Sequence, residues 1–571
     1  MLSGEGSVVV TISRMSSISD KIDYHFVEEF RVEATLQAVP AEPWRNGCGW
    51  TKTFSYKIPN ETRTGIYVAS CVDSKGTQCS IPFIVKGNRH KVGVVANVNT
   101  WLAYNAWGGK GKYDDAGAAA HVSFLRPNPN AGPQGAPHLL RGELWILGWL
   151  EREQITYEVL TDVDFADLEN VPFNSSATGP QWKALIIGTH PEYWTLRMHD
   201  VLQRYLDQGG SLFYLGGNGI FENGEYTPDK TAMVFRAGIE RGPREAAMFR
   251  LLNPPRHERE ILGVATERSG AKGSPYIVEP GQAHHPLFQF TNLAEHARFG
   301  NFGLNNDTLP GGYSNGKASG WEVDTSDGPG AIGMPADSDL HPEIFPVPPS
   351  KLPTGLVVLA RGEADGEGLG ADMTTYNHAG GGLVFSAGSI TFGGSLVVDP
   401  ALRLIVLNAL AQAGVQPRRR WVGADFTGDK KGDILYYYPP EDTWWLGAVS
   451  NSKLNWRLVG NTKAFGHAIN DGRPFWVADF NGDQKSEVLF YYPGDDNWWL
   501  GSLVNGTLSW RLVGNTKDFG HNIQDGRPFW IADFDGSGRN SVMFYYPGDD
   551  NWWLGSLVNG TLSWSHLGTS A

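Results

Sequence analysis

WKALIIGTHPEYWTLRMHDVLQRYLDQGGSLFYLGGNG, residues 182–219, decides the fold. It holds an apolar stretch, a segment of helical length closed by Gly209 and Gly210, and a second apolar stretch. Paired glycines are a helix stop, because a left-handed residue ends the last turn without a Cβ penalty. The order is therefore strand, helix, strand, the unit of a mainly parallel sheet covered by helices. Such sheets gather ligands beyond the carboxyl ends of their strands. His190, Glu192 and Asn218 each follow a strand end, so that rule makes them neighbours.

The same alternation extends both ways. KVGVVANV (91–98) and TYEVLTD (156–162) read as strands, and HLLRGELWILGWLEREQ (138–154) as a helix. GGGLVFSAGSI (380–390) and the helix DPALRLIVLNALAQAG (399–414) close the region. Residues 89–415 are thus expected to form a central amidotransferase-like parallel α/β domain, with the Gly- and Pro-rich stretch 240–350 as loops over its strand ends. Residues 1–88 alternate in TKTFSYKIP, TGIYVASC and CSIPFIVKG between turns, which predicts an Ig-like β-sandwich. Cys71 and Cys79 either face each other across a hairpin or are free thiols.

After QPRRR, an internal repeat begins at Trp421, Trp476 and Trp530 and fills residues 421–571. Twelve of the 21 tryptophans fall there, which marks the segment as a module of its own. Each repeat offers about four short strands, the content of one propeller blade. Three blades seldom close a ring, so the repeats are expected to assemble with another copy or to form a compact three-fold unit. The fold class is multidomain α/β plus β, with C-terminal blade-like all-β repeats.

Composition narrows the function. At 571 residues the chain is too long for one core. Apolar content of 41% with 19% charged residues is globular, and no apolar run reaches the roughly eighteen residues of a membrane span. A net charge of -14 argues against a phosphate-binding surface, hence against nucleic acid. MLSGEGSVVVTIS lacks a basic start and a long apolar stretch, so it reads as unprocessed and cytoplasmic.

Four places can carry chemistry. WLAYNAWGGKGKY (101–113) sets Tyr104 and Asn105 in a loop after the first strand of the α/β region. THPEYW brings an imidazole and hard oxygen donors together at His190, Glu192 and Tyr193. LGGNG places Asn218 where amidotransferase-like sheets carry a nucleophile. No cysteine lies beyond residue 79, which excludes a cysteine mechanism in this domain. Asn218 either holds a carbonyl or satisfies a tight turn. In SGWEVDT, Glu322 is a surface charge or, beside a bound water, a general base.

These motifs, in this order, resemble the catalytic large subunit of the N,N-dimethylformamidase family over about residues 50–415. The resemblance implies a metal-dependent hydrolase of a small amide or formamide C–N bond, with a ferric ion held by two tyrosines and one glutamate. Carried over, Tyr104 and Glu192 would be ligands, His190 would stand beside them, Asn218 would position the amide and Glu322 would activate water. The second family tyrosine falls at Trp145, and indole offers no anionic oxygen. Tyr113 or His190 then completes the coordination, or the metal differs, or the centre is lost.

The repeats resemble FG-GAP or VCBS repeats of propellers and lectins. That resemblance implies calcium at Asp425, Thr427, Asp429 and Asp433 and at Asp479, Asn481, Asp483 and Glu487. The third repeat keeps Asp533 and Asp535 but has Ser537 and Ser541. Asp-Gly turns without metal are the other reading. The doublets Trp444/Trp445, Trp498/Trp499 and Trp552/Trp553 put one indole on each strand face, for blade packing or for stacking on carbohydrate. Two further readings stay open: a lectin-like protein with a degenerate α/β domain, or the same fold serving a different reaction.

Overall fold

The computed structural model describes the chain except residues 1, 88–89, 114–119, 169–181, 236–247, 289–290, 292, 306–315, 328–350, 365, 367, 369, 416–419, 439–441, 463–474, 493–494, 518–528, 547–549 and 570–571. Much of the stretch 240–350 therefore lies outside the described residues. The chain forms two compact units, Met1–Glu151 with Ile155–Gln416 and Arg152–Gln154 with Pro417–Ala571. No helix among the described residues is long and apolar enough to cross a membrane.

A nine-stranded sheet organises the first unit. Its parallel part runs, in space, Glu158–Thr161, Val92–Ala96, Ala184–Thr189, Ser211–Gly216 and Leu383–Ser386. By chain position that order is 2-1-3-4-5, so the winding reverses between Val92–Ala96 and Ala184–Thr189. Past Leu383–Ser386 the sheet continues antiparallel through Asp372–Asn377, Val357–Gly362, Tyr276–Val278 and Arg298–Phe299.

The central strands are apolar throughout because both faces are covered. Val94, Ile186 and Phe213 join the core formed with helices Leu140–Arg152 and Pro400–Gln412. Val95, Ile187 and Leu212 join the opposite core, with helix Leu196–Asp207. That last helix starts where Thr195 accepts a hydrogen bond from Met198 N at its N-cap, and it lies between the two strands that the sequence predicts around it.

The N-terminal region corrects the sandwich expectation. Its described residues form one four-stranded antiparallel sheet, of strands Gly6–Ser16, Asp23–Ala34, Gly65–Asp73 and Gln78–Val85. A second sheet is unnecessary because other elements cover both faces. Tyr67, Ala69 and Cys71 pack with Phe54 and Tyr56, while Ile66 and Val68 join the main α/β core. Cys71 and Cys79 are cross-strand neighbours and free thiols.

In the second unit each repeat is a four-stranded antiparallel sheet, as its strand content predicts. The first runs Arg420–Ala424, Asp433–Tyr438, Thr443–Ser450 and Lys453–Asn461. Successive repeats lock through tryptophan. The ring of Trp444 lies 5.4 Å from Trp510 of the second repeat, and that of Trp498 lies 5.3 Å from Trp564 of the third. Trp510 in turn crosses Gly501, where a Cβ would sit 2.6 Å from the indole, so the glycine after each WWL is a packing requirement.

Candidate active site at the switch point of the sheet

Loops leaving adjacent strands at a winding reversal diverge and leave room between them. After Val92–Ala96 the chain passes through helix Val98–Ala103 to Tyr104, Lys112 and Tyr113; after Ala184–Thr189 it delivers His190, Glu192 and Tyr193. The neighbouring strand Ser211–Gly216 ends at Asn218. Glu322 arrives from strand Ser319–Thr325, which pairs antiparallel with Ala265–Ser274.

The backbone at these points is strained. Thr189, Asn218 and Trp321 all have left-handed φ, at 60°, 53° and 65°. For non-glycine residues, and above all for β-branched threonine, that region is sparsely populated; such strain gathers where function over-determines the structure. Gly217 makes the turn feasible, because a Cβ there would lie 2.5 Å from Glu322 O and 2.8 Å from Ile390 N. Asn218 N donates to Asp324 Oδ1 at 2.9 Å, and Tyr214 Oη donates to Asp324 Oδ2 at 2.6 Å. Burial lifts the Asp324 carboxyl to about 7 against the pull of those two donors.

Four predicted residues meet in one buried cluster. His190 Nε2 lies 3.2 Å from Glu192 Oε2 and 3.0 Å from Glu322 Oε2. Asn218 Nδ2 donates to the same Glu322 oxygen at 2.7 Å, while Ser269 Oγ donates to Glu322 Oε1 at 3.2 Å. Thr266 Oγ1, donating to Asn218 Oδ1 at 2.9 Å, fixes which way the amide faces. Burial opposes a charged His190, but the Glu322 carboxylate, aided by Glu192, outweighs it and raises the imidazolium to about 10. Burial also opposes the Glu322 carboxylate, yet His190 and Asn218 hold it below the usual range. Burial dominates at Glu192 and raises it.

Phenols flank the cluster. Tyr113 Oη donates to Glu192, 3.0 Å from each carboxylate oxygen, and also meets Tyr193 Oη. The Tyr104 ring lies 4.6 Å from Tyr113 and 5.7 Å from His190, centroid to centroid. Phenol oxygens beside a carboxylate are hard donors, a set that suits a hard cation. Trp145, at the position the resemblance gave to the second tyrosine, is engaged elsewhere. Its indole N–H donates to Ser19 O at 3.0 Å, and the Arg141 guanidinium lies 4.6 Å from its ring centroid. Asn105 holds its own loop, donating to Pro127 O and accepting from Trp107 N.

Sequence reasoning missed three contributors. His138 packs edge-to-face with both Tyr104 and Trp321, at 4.7 and 4.0 Å between centroids. Its only signal is its place just before the long helix. Lys112 and Glu222 form a buried ion pair at 2.7 Å, with the Lys112 ammonium 4.7 Å from the ring centroids of both Tyr113 and Tyr193. That pair depends on strand Glu222–Tyr226 lying parallel to Tyr193–Trp194, which no local pattern announces.

In the repeats, the acidic loops close on themselves. Asp425 accepts from Gly428 N and Lys430 N, and Asp433 from Phe426 N and Thr427 N; Asp479 and Glu487 repeat the pattern. Asp479, Asp483 and Glu487 place oxygens within 4.8 Å of one another. In the third repeat Ser541 Oγ bonds Ser556 Oγ at 2.8 Å, so that position carries no carboxylate.

Comparison with known proteins meets this geometry. A family model described as N,N-dimethylformamidase beta subunit-like, C-terminal, matches residues 23–403, which contain every residue of the cluster and none of the repeats. The N,N-dimethylformamidase beta subunit of an Alcaligenes species is 25% identical over 418 residues, 61% of this chain and 52% of its own. That of Paracoccus aminophilus is 24% identical over 416 residues, with the same two coverages of 61% and 52%. The chain thus spans about half the length of the curated relatives it matches. With the model covering well over half of its residues, the chain belongs to the N,N-dimethylformamidase beta subunit-like family.

Proposed function

We propose that the first unit hydrolyses the C–N bond of a small amide of the formamide type. The observation that carries this reading is the shared Glu322 oxygen, which faces His190 Nε2 at 3.0 Å and Asn218 Nδ2 at 2.7 Å. A carboxylate kept ionised by two donors is a competent base for a water proton. Once Glu322 has taken that proton it can return it to the leaving amine nitrogen, while the Asn218 and His190 N–H groups, which both point at the Glu322 oxygen, keep the base oriented. Glu192 meets the same His190 Nε2, at 3.2 Å.

A hard cation held by Tyr104, Tyr113 and Glu192 would polarise the substrate carbonyl or its water. The supporting feature is the donor set, in which Tyr113 takes the place beside Glu192 that Trp145 does not fill. Around it, the Lys112 ammonium, paired with Glu222, lies over the Tyr113 and Tyr193 rings and fixes their positions.

The test uses the full chain, purified with its metal content measured and supplied with a series of N-substituted formamides and small amides while released amine is followed. Glu322→Gln should lower turnover roughly 10²–10⁴-fold with an unchanged circular dichroism spectrum. Absence of amine release from every substrate, or a variant as fast as wild type, would overturn the reading.

A further inference from the structure

The two interfaces inside the repeat array are copies of each other. In the first, Phe426, Trp444 and Val459 of repeat one pack on Val488 and Leu508 of repeat two; in the second, Phe480, Trp498 and Val513 pack on Val542 and Leu562 of repeat three. Each repeat therefore has an outgoing face and an incoming one. Between neighbours both faces are buried. At the ends of the array they are open.

Exposure follows that logic position by position. The outgoing phenylalanine is 1% exposed in repeat one and 2% in repeat two, but Phe534 in repeat three is 39% exposed. Val459 and Val513 are buried, whereas their counterpart Leu567 is 51% exposed. The incoming face behaves in mirror fashion: Leu508 and Leu562 are buried, while Leu454 of repeat one is 45% exposed. An apolar set that two neighbours bury and a third leaves open is a docking surface whose partner chemistry is already written in the molecule.

We propose that the array continues from copy to copy, the outgoing face of repeat three seating the incoming face of repeat one in a second copy of this chain. Polar detail supports the match. Within the array, Ser486 N donates to Asp425 O and Asn540 N to Asp479 O; the corresponding pair across copies is Gly432 N and Asp533 O. Arg457 and Arg511 reach across to Gly506 O and Gly560 O, and a Cβ at Gly506 would lie 2.8 Å from the guanidinium. Repeat three has Ser565 in place of that arginine, and repeat one has Ser452 in place of that glycine. The reaching arginine and the glycine that admits it are thus replaced together, at the two faces proposed to meet. Such a contact is head to tail, and it closes into a ring if the rotation between copies allows.

Sedimentation velocity of the full chain, followed from low to high micromolar concentration, tests the proposal with two single variants. Leu454→Arg spoils only the incoming face and Leu567→Arg only the outgoing one. Both sites are exposed within one copy, so at concentrations low enough for wild type to be monomeric the thermal unfolding of each variant should match it. Wild type should self-associate, and each variant alone should be monomeric. An equimolar mixture should form a one-to-one dimer, because one pair of intact faces survives in it. A monomeric wild type, association that persists in either variant, or a mixture that stays monomeric would overturn the proposal.

Discussion

The two units solve opposite problems with similar strands. In the first, residues 104, 192 and 218, which follow three strands of the sheet, are brought together with residue 322 of strand Ser319–Thr325, and each occurs once. In the second, every key contact is local and recurs in the next repeat. A site assembled from distant loops concentrates function in a few side chains and tolerates strain to do so. An array built by repetition spreads its stability over equivalent positions, each set by its neighbours. The contrast is open to test by asking whether equivalent residues respond alike.

The largest effect should come from the array. Trp444→Ala and Trp498→Ala remove fully buried indoles that join neighbouring repeats, and each should cost about 3–5 kcal/mol in urea unfolding of the second unit. Trp552→Ala, at the half-buried equivalent in repeat three, should cost roughly a third of that, since the cost scales with burial. Equal losses at all three positions would show that the neighbour does not set the energy. In the first unit, Asn218→Ala puts alanine at a left-handed φ and strands the Glu322 and Thr266 partners, so it should cost about 1–3 kcal/mol of stability and lower kcat by about 10²-fold through a misplaced Glu322. A rise in KM with kcat preserved would assign Asn218 to substrate binding alone.

Much of this was legible in the sequence, for physical reasons that can be named. The strand–helix–strand reading of residues 182–219 held because apolar runs and paired glycines are local signals. The same local logic found the repeats. His190, Glu192, Asn218 and Glu322 emerged because the first three follow strand ends and the last lies in a recognisable motif. Lys112 and His138 stayed hidden, since a lysine in a glycine-rich loop and a histidine before a helix are ordinary until the tertiary fold brings Glu222 and Trp321 to them. The second sheet of the sandwich failed for a related reason. Alternation shows that a strand face is buried but not what buries it, and here the α/β core covers one face.

Acid stability should distinguish the units more gently. His199, on the helix Leu196–Asp207, stacks on Phe249 at 5.5 Å and faces Arg256. Burial and the Arg256 charge lower its imidazolium to about 4, from an ordinary value of 6.5. The unfolded chain therefore binds more protons between those values. The stability tied to neutral His199 is fully present above 6.5 and is lost as pH falls toward about 4, at up to about 1.4 kcal/mol per pH unit. His199→Gln should flatten that slope in urea melts of the first unit. An unchanged slope would place the acid sensitivity elsewhere.

Trp145 gives the smallest expected change and the sharpest check on residue-by-residue transfer. If its role is the one the geometry displays, Trp145→Phe loses the hydrogen bond to Ser19 O and keeps the stacking on Arg141. That should cost about 1 kcal/mol of stability and leave kcat unchanged. Trp145→Tyr should likewise bind no additional metal, because the phenol would inherit the indole's surroundings rather than those of Glu192. Tyr113→Phe, in contrast, removes the hydroxyl that already meets both Glu192 oxygens and should reduce metal retention on dialysis. Iron colour appearing in Trp145→Tyr and absent from wild type would reverse the assignment, since it would mean that helix position 145, and not the loop at 113, carries the second phenolate.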